Sequence, residues 1–311
     1  MADLKIFQRD ADGREVELRG STVARERELQ RRVEGALEEM LGVRLLASEY
    51  STGDWHRGRI DTLGLDEDNV PVIIEFKRGR DAGIITQATS YLVWMKAHRH
   101  EVEALVRRRL GNKVAGAVDW RRPRVICVAG EFSRHDRAAA SLHQREHRVD
   151  LVRYRVFGPD LLTLQLVETV PGFGVPMESA ELVSEVAAEP EATATLASDQ
   201  VEVPETLAEL YGELDEVLTG AGELEVVVLR HYIAYRRMLN VASVIFRPSA
   251  SHRAILMYLR LDPDTVKLED GFTRDVRRIG HLGTGDLEVR IASSADVEKA
   301  VPLIRRAVEE S

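Results

Sequence analysis

The sequence predicts two bodies in series, a mixed α/β domain followed by a small α+β domain. Three observations lead there. The chain's 311 residues exceed the roughly 100–200 residues of one ordinary domain. Helical periodicity alternates with short apolar runs through residue 167. Residues 171–229 then hold 14 acidic residues and no basic one, whereas residues 1–170 carry 29 basic against 27 acidic and residues 230–311 carry 14 against 11. The net charge of −9 is therefore confined to the middle, and neither flank is closed to a polyanion. Between 176 and 202 the residues are mostly Ala, Glu, Ser, Thr and Val without an aromatic, too little apolar surface to offset ordering entropy. The expected division is 1–172, an acidic flexible linker over 173–204, and 205–311.

Each element follows from its pattern. Leu29, Val33, Ala36, Leu37, Met40 and Leu41 recur at helical spacing, predicting one helix over 25–41 that stops at Gly42, with Ser21 or Thr22 as N-cap. Apolar runs at 43–48, 58–65 and 70–76 predict strands. Asp66-Glu67-Asp68-Asn69 is turn chemistry joining the last two as a hairpin. Helices are expected over 82–98, 101–110 and 134–147, and strands over 124–128, 149–154 and 161–167. The second body is expected to open with a helix over 204–218 and to continue helically through Tyr232 and Tyr235. Strands at 243–247, 254–261 and 287–291 and a helix over 295–308 complete it.

Composition excludes several classes. One cysteine rules out an internal disulfide framework and a Cys-based zinc site. No apolar run reaches the ~18 residues of a membrane span. Met1-Ala2-Asp3-Leu4-Lys5 lacks the form of a signal peptide, so a cytoplasmic protein without a membrane partner is expected.

The chemistry lies in Gly58-Arg59-Ile60-Asp61 and, fourteen residues past Asp61, Glu75-Phe76-Lys77. Val72-Ile73-Ile74 is an apolar strand that runs directly into Glu75 and Lys77, whose side chains share a strand face. A five-residue loop between Leu65 and Pro71 would set Asp61 opposite Glu75, and Arg59 opposite Lys77. An even-length loop would put Asp61 opposite Ile74 and spoil the site. Two facing carboxylates at the end of buried strands call for a cation. Oxygen-only ligands suit Mg²⁺ or Mn²⁺, with the Phe76 carbonyl as a further ligand. Lys77 beside the metal can orient a water and offset charge on a phosphate. The implied reaction is phosphodiester hydrolysis.

Asp61, then Glu75-x-Lys77, between a Glu-bearing helix and a helix carrying Gln87, resembles the PD-(D/E)xK nuclease superfamily. Ser48-Glu49-Tyr50-Ser51-Thr52-Gly53, Gly58-Arg59-Ile60-Asp61 and Val72-Ile73-Ile74-Glu75-Phe76-Lys77-Arg78 are similar to a bacterial restriction-endonuclease-like branch related to RecB-like and mismatch-specific nucleases. The resemblance spans residues 21–170, and Ile60 stands where the superfamily name has Pro. It implies a restriction-endonuclease-like sheet flanked by helices, metal binding by Asp61 and Glu75, assistance to the nucleophile by Lys77, and Gln87 at the site. It also implies a first-helix glutamate, for which Glu28 and Glu34 stand equal. Residues 205–311 resemble a bacterial C-terminal domain of unknown function. That likeness rests on His231-Tyr232-Ile233-Ala234-Tyr235-Arg236-Arg237, Gly285-Asp286-Leu287-Glu288-Val289-Arg290-Ile291 and the final helix.

Blander readings stand beside these. His143 and His147, four apart, fit a solvated helix face better than a metal pair lacking a third ligand, and His98 and His100 take the same discount. His56 fits a plain loop residue, Arg107-Arg108-Arg109 a solvated helix end, and Cys127 a small core side chain. Arg230, Arg236, Arg237, Arg247 and Arg253 with Tyr232 and Tyr235 offer either a nucleic-acid surface or plain helix surface. The expected function is a Mg²⁺- or Mn²⁺-dependent deoxyribonuclease, with DNA ahead of RNA as substrate, in repair or in defence against foreign DNA. The alternative is a non-catalytic nucleic-acid-binding or protein-interaction module on the same fold. A homodimer would suit double-strand cleavage, although no segment announces its interface.

Overall fold

A computed structural model describes residues 4–53, 57–81, 83–142, 147–170, 205–229, 231–247, 253–279, 281 and 283–311. The chain divides into two compact units, Met1–Phe173 and Gly174–Ser311. The linker expected over 173–204 lies outside the described residues, as does His56.

The first unit is mixed α/β, built on a six-stranded mixed sheet ordered β3-β4-β5-β6-β7-β8. These strands are β3 (Val43–Ser51), β4 (Arg59–Asp66), β5 (Pro71–Lys77), β6 (Arg124–Ala129), β7 (Arg148–Phe157) and β8 (Leu161–Val170). Neighbours β3, β4 and β5 are antiparallel, β5, β6 and β7 are parallel, and β8 returns antiparallel to β7. Parallel neighbours need crossovers. Helices α3 (Ile84–Ala97), α4 (Arg99–Leu110) and α5 (Asn112–Gly116) link β5 to β6, and α6 (Arg134–Leu142) links β6 to β7. Alternation along the strands gives each sheet face its own cover. Leu63, Ile73, Val125, Cys127 and Leu151 form one core with Ile84, Ala88, Leu92 and Met95 of α3. The other face meets α1 (Glu26–Glu34), where the Glu34 carboxylate accepts a hydrogen bond from the Thr62 hydroxyl.

Two expected helices need correction. The helix expected over 25–41 is two, α1 and α2 (Leu37–Leu41), because Ala36 leaves the helical region at φ −143°, ψ 44°. Gly42 does end α2, in the left-handed conformation. Arg25 begins α1 without a side-chain cap, and Ser21 instead bridges to Val156. Helix α6 is described only to Leu142, and His147 is a buried residue leading into β7 rather than part of a solvated helix face. His143 lies outside the described residues. The hairpin β1 (Ile6–Arg9) and β2 (Glu15–Leu18) has no counterpart in the sequence-based expectation.

The second unit is a six-stranded antiparallel sheet ordered β13-β14-β12-β11-β10-β9. Its strands are β9 (Glu225–Val228), β10 (Ile233–Arg236), β11 (Asn240–Arg247), β12 (Ala254–Leu259), β13 (Thr273–Asp275) and β14 (Leu287–Ile291). Helices α7 (Glu205–Gly220) and α8 (Ser294–Glu309) share one core with Val244, Met257, Leu259 and Val289. Ser293 caps α8 by accepting from the Asp296 amide. The helix expected through Tyr232 and Tyr235 is strand β10. Tyr235 is fully buried, its hydroxyl bonded to those of Tyr211 and, at 2.5 Å, the Asp215 carboxylate.

Candidate active site

Register builds the site. Strands β4 and β5 pair Thr62 with Ile74, Leu63 with Ile73, Gly64 with Val72 and Leu65 with Pro71, so five residues, 66–70, separate the two members of the last pair. One step further along, Asp61 meets Glu75. Here the side chains take over the pairing: the Phe76 amide donates to Asp61 Oδ2 at 3.0 Å, and the Asp61 amide donates to Glu75 Oε1 at 3.3 Å. The loop holds the register through Asp66, whose Oδ1 accepts from the amides of Asp68 (3.0 Å) and Val70 (2.9 Å). Asn69 takes a positive φ of 61°, a conformation asparagine tolerates better than most residues.

The electrostatics follow from burial. Glu75 has no exposed surface, and its carboxyl is pushed up from 4.5 to about 8, first by desolvation and then by the Asp61 charge. Asp61 is raised too, chiefly by burial, against the opposing pull of the Phe76 amide and Lys77. Glu75 Oε2 is buried and has no hydrogen-bond partner. A buried carboxylate oxygen left so carries a desolvation penalty that a cation would remove. Among the described residues no three His, Cys, Asp or Glu side chains gather to hold a metal by themselves. The donor set at the pair is thus two carboxylates and the nearby Phe76 carbonyl, which fits a hard ion that keeps water ligands.

The remaining predicted residues are placed as follows. Lys77 lies on the face of Glu75, with Nζ 3.6 Å from Glu26 Oε2. Gln87 donates to the Tyr91 hydroxyl at 3.3 Å, and that hydroxyl accepts from the Arg59 amide at 3.1 Å. Tyr91 therefore ties α3 to the start of β4, and Gln87 supports that hydroxyl from within α3 rather than bonding either carboxylate. Glu34 is held by Gln30 and Thr62 on the opposite face of β4, and Glu28 is exposed. The structure brings neither to the pair. Gln30 reaches it only through the backbone, donating to the Asp61 carbonyl at 2.8 Å.

Two acids that sequence reasoning missed sit closer. Glu26, in the first turn of α1, and Glu49, on β3, both act on the Asp61 charge. Glu49 lies between the pairs Ser48–Thr62 and Tyr50–Ile60, which puts it across from Asp61. Its signal was register, the same one that placed Asp61 opposite Glu75, but β3 carries a shift between Leu45 and Ala47 that sequence does not announce. The far end of the site is packed closely. A Cβ on Gly130, just past β6, would stand 2.7 Å from the Arg78 carbonyl, which itself accepts from the Tyr154 hydroxyl at 2.7 Å.

The other candidates are structural. His98 stacks on Trp94 and His100 projects into solvent. Arg107, Arg108 and Arg109 are exposed at the end of α4, and Cys127 is buried beside Glu75 in the ladder. The surface imagined around Tyr232 and Tyr235 is not there. Both tyrosines are buried, Arg236 is buried against Glu225 at 3.2 Å, and Arg237 donates to the Val308 carbonyl. Arg247 and Arg253 are exposed, and Arg230 lies outside the described residues.

The chain is similar along its whole length to an uncharacterized protein of Haemophilus influenzae, at 25% identity over 313 aligned positions that cover 99% of this chain and 100% of the relative. No family model matches the sequence. No solved structure matches it.

Proposed function

We propose that the chain is a Mg²⁺- or Mn²⁺-dependent nuclease of restriction-endonuclease-like type that hydrolyses DNA phosphodiester bonds in the cytoplasm, in repair or in defence against foreign DNA. The observation that carries this reading is the orphaned Glu75 Oε2, buried beside Asp61 at the end of two paired strands. No described helix is long and apolar enough to cross a membrane.

Asp61 and Glu75, with the Phe76 carbonyl, would hold the ion. Once bound, it supplies Lewis acidity toward a phosphate oxygen and a water of lowered pKa. The chain's own groups do the rest. Bonds from the Phe76 and Asp61 amides hold the two carboxylates before any ligand arrives, so little reorganisation is needed. Lys77, anchored by Glu26, offsets charge on the reacting phosphate and orients the attacking water. Gln87 and Tyr91 fix the strand on which Asp61 rides.

The test is Mn²⁺ calorimetry on the wild type and on the Asp61→Ala/Glu75→Ala variant, with cleavage of duplex and single-stranded DNA assayed alongside. Loss of both the binding heat and cleavage in the variant is expected. Full metal-dependent cleavage by the variant would reject the assignment. DNA binding without turnover, surviving loss of both carboxylates, would favour a non-catalytic binding module.

A further inference from the structure

We infer that Arg59 is the cation that grips the substrate's phosphate, and that Glu49 occupies its guanidinium in the ligand-free chain, standing where the phosphate will bind. This rests on the reading of a phosphodiester substrate at Asp61 and Glu75.

Position comes first. Arg59 precedes Asp61 by two residues on β4, so its side chain leaves the same face of the sheet as the acid pair. It lies at the beginning of the strand, where the antiparallel partner β5 ends in Lys77. Two cations therefore flank the open end of the site. Each is held by a glutamate: Arg59 Nε sits 2.9 Å from Glu49 Oε2, and Lys77 lies 3.6 Å from Glu26.

The Glu49 contact has the character of a placeholder. Its carboxylate sits across from Asp61 and adds to the negative charge there. With Asp61, Glu75 and Glu26 it makes the mouth of the site repellent to a polyanion unless something yields. The Arg59 side chain is 66% exposed and that of Glu49 is 26% exposed, so the pair is screened and weakly held. Glu49 also has a positive φ of 54°, rare for a residue that is neither Gly, Asn nor Asp. Such backbone is kept where its surroundings over-determine it, and functional sites are where it clusters. An arginine fork fits a phosphate's oxygens in two parallel bonds at least as well as it fits a carboxylate. Exchange of one anion for the other conserves the bonds of Arg59 and removes Glu49 from the approach path.

The test is binding of a short fluorescein-labelled duplex and of its single strand, followed by anisotropy with Ca²⁺ as the divalent ion. The proteins are wild type, Glu49→Gln, Arg59→Ala, Arg59→Lys and the Glu49→Gln/Arg59→Ala double variant. Both side chains are partly or largely exposed, and circular dichroism checks that each variant is folded. Glu49→Gln should tighten binding by about threefold to fivefold, the worth of an exposed ion pair. Arg59→Ala should weaken it by about tenfold, with Arg59→Lys recovering only part, because a lysine lacks the planar fork. The double variant should match Arg59→Ala alone.

Two results would overturn the inference. Equal tightening by Glu49→Gln in the Arg59→Ala background would mean that any lost negative charge suffices. Weaker binding by Glu49→Gln, with loss of Mn²⁺ heat in calorimetry, would make Glu49 a metal ligand. Failure of the nuclease reading shows elsewhere, as cleavage and Mn²⁺ heat that ignore Asp61 and Glu75, and the anisotropy cycle is read independently of it.

Discussion

Glu75 carries a proton at neutral pH in the metal-free chain, because its carboxyl titrates near 8 instead of 4.5. Between those values the folded chain binds more protons than the unfolded one. The stability this group contributes is complete below pH 4.5 and is lost as pH rises through 8. Glu75→Gln removes that loss, so at pH 8.5 without metal the variant should melt about 5 °C above wild type. Scanning calorimetry at pH 5 and 8.5 decides it, and an equal difference at both would refute the argument. A bound cation must displace the same proton, so Mn²⁺ affinity should rise with pH and the binding heat should depend on the buffer's ionisation enthalpy. Glu75 and Lys77 were legible because two charged residues ending an Ile-Ile run are hard to explain as surface, and Asp61 because a five-residue loop sets it opposite Glu75. Glu26 and Glu49 were not. Which turn of α1 faces β5 is set by packing, and the partner of Glu49 depends on a bulge in β3.

At the scale of elements, the β4–β5 loop is the device that makes a site out of two strands. Its five residues put Asp61 beside Glu75, and removing one would turn Asp61's neighbour into Ile74. Deleting Glu67 should therefore abolish Mn²⁺ binding while leaving the far-ultraviolet spectrum close to wild type. Binding that persists would mean that the strands recover their register. The hairpin was readable from Asp66-Glu67-Asp68-Asn69, since turn residues act locally. Elements decided by distant contacts were less so. The break between α1 and α2 interrupts a stretch whose apolar spacing runs on without a gap, and only the backbone at Ala36 reveals it. Strand β10 was mistaken for helix because all four of its residues are buried. Sheet alternation cannot appear in a strand whose two faces are both covered.

For the whole molecule, the expectation of two bodies came from length and charge, and the mixed α/β architecture of the first from helical periodicity alternating with apolar runs. The topology of the second sheet was not legible. Strands β9 to β12 pair in sequence order, but β14 pairs with β12 and leaves β13 at the edge, an order that local turn signals do not specify. The charge distribution has its own consequence. On the nuclease reading, the 14 acidic residues of 171–229 would compete with DNA for cationic groups within their reach. Replacing those between 176 and 202 with Gln and Asn should tighten DNA binding several-fold at low salt and leave it unchanged near 1 M, where the Debye length is about 3 Å. Fluorescence anisotropy across a salt series checks this, and a gain that survives high salt would point to something other than charge. The molecule also carries a chemical stopwatch. Cys127 is its one thiol, with no exposed surface, and it pairs with Glu75 across the sheet. A thiol reagent can reach it only when the strands beneath the site part. The labelling rate thus times the opening of one place in the fold, and Mn²⁺ should slow that rate in wild type but not after Glu75→Gln.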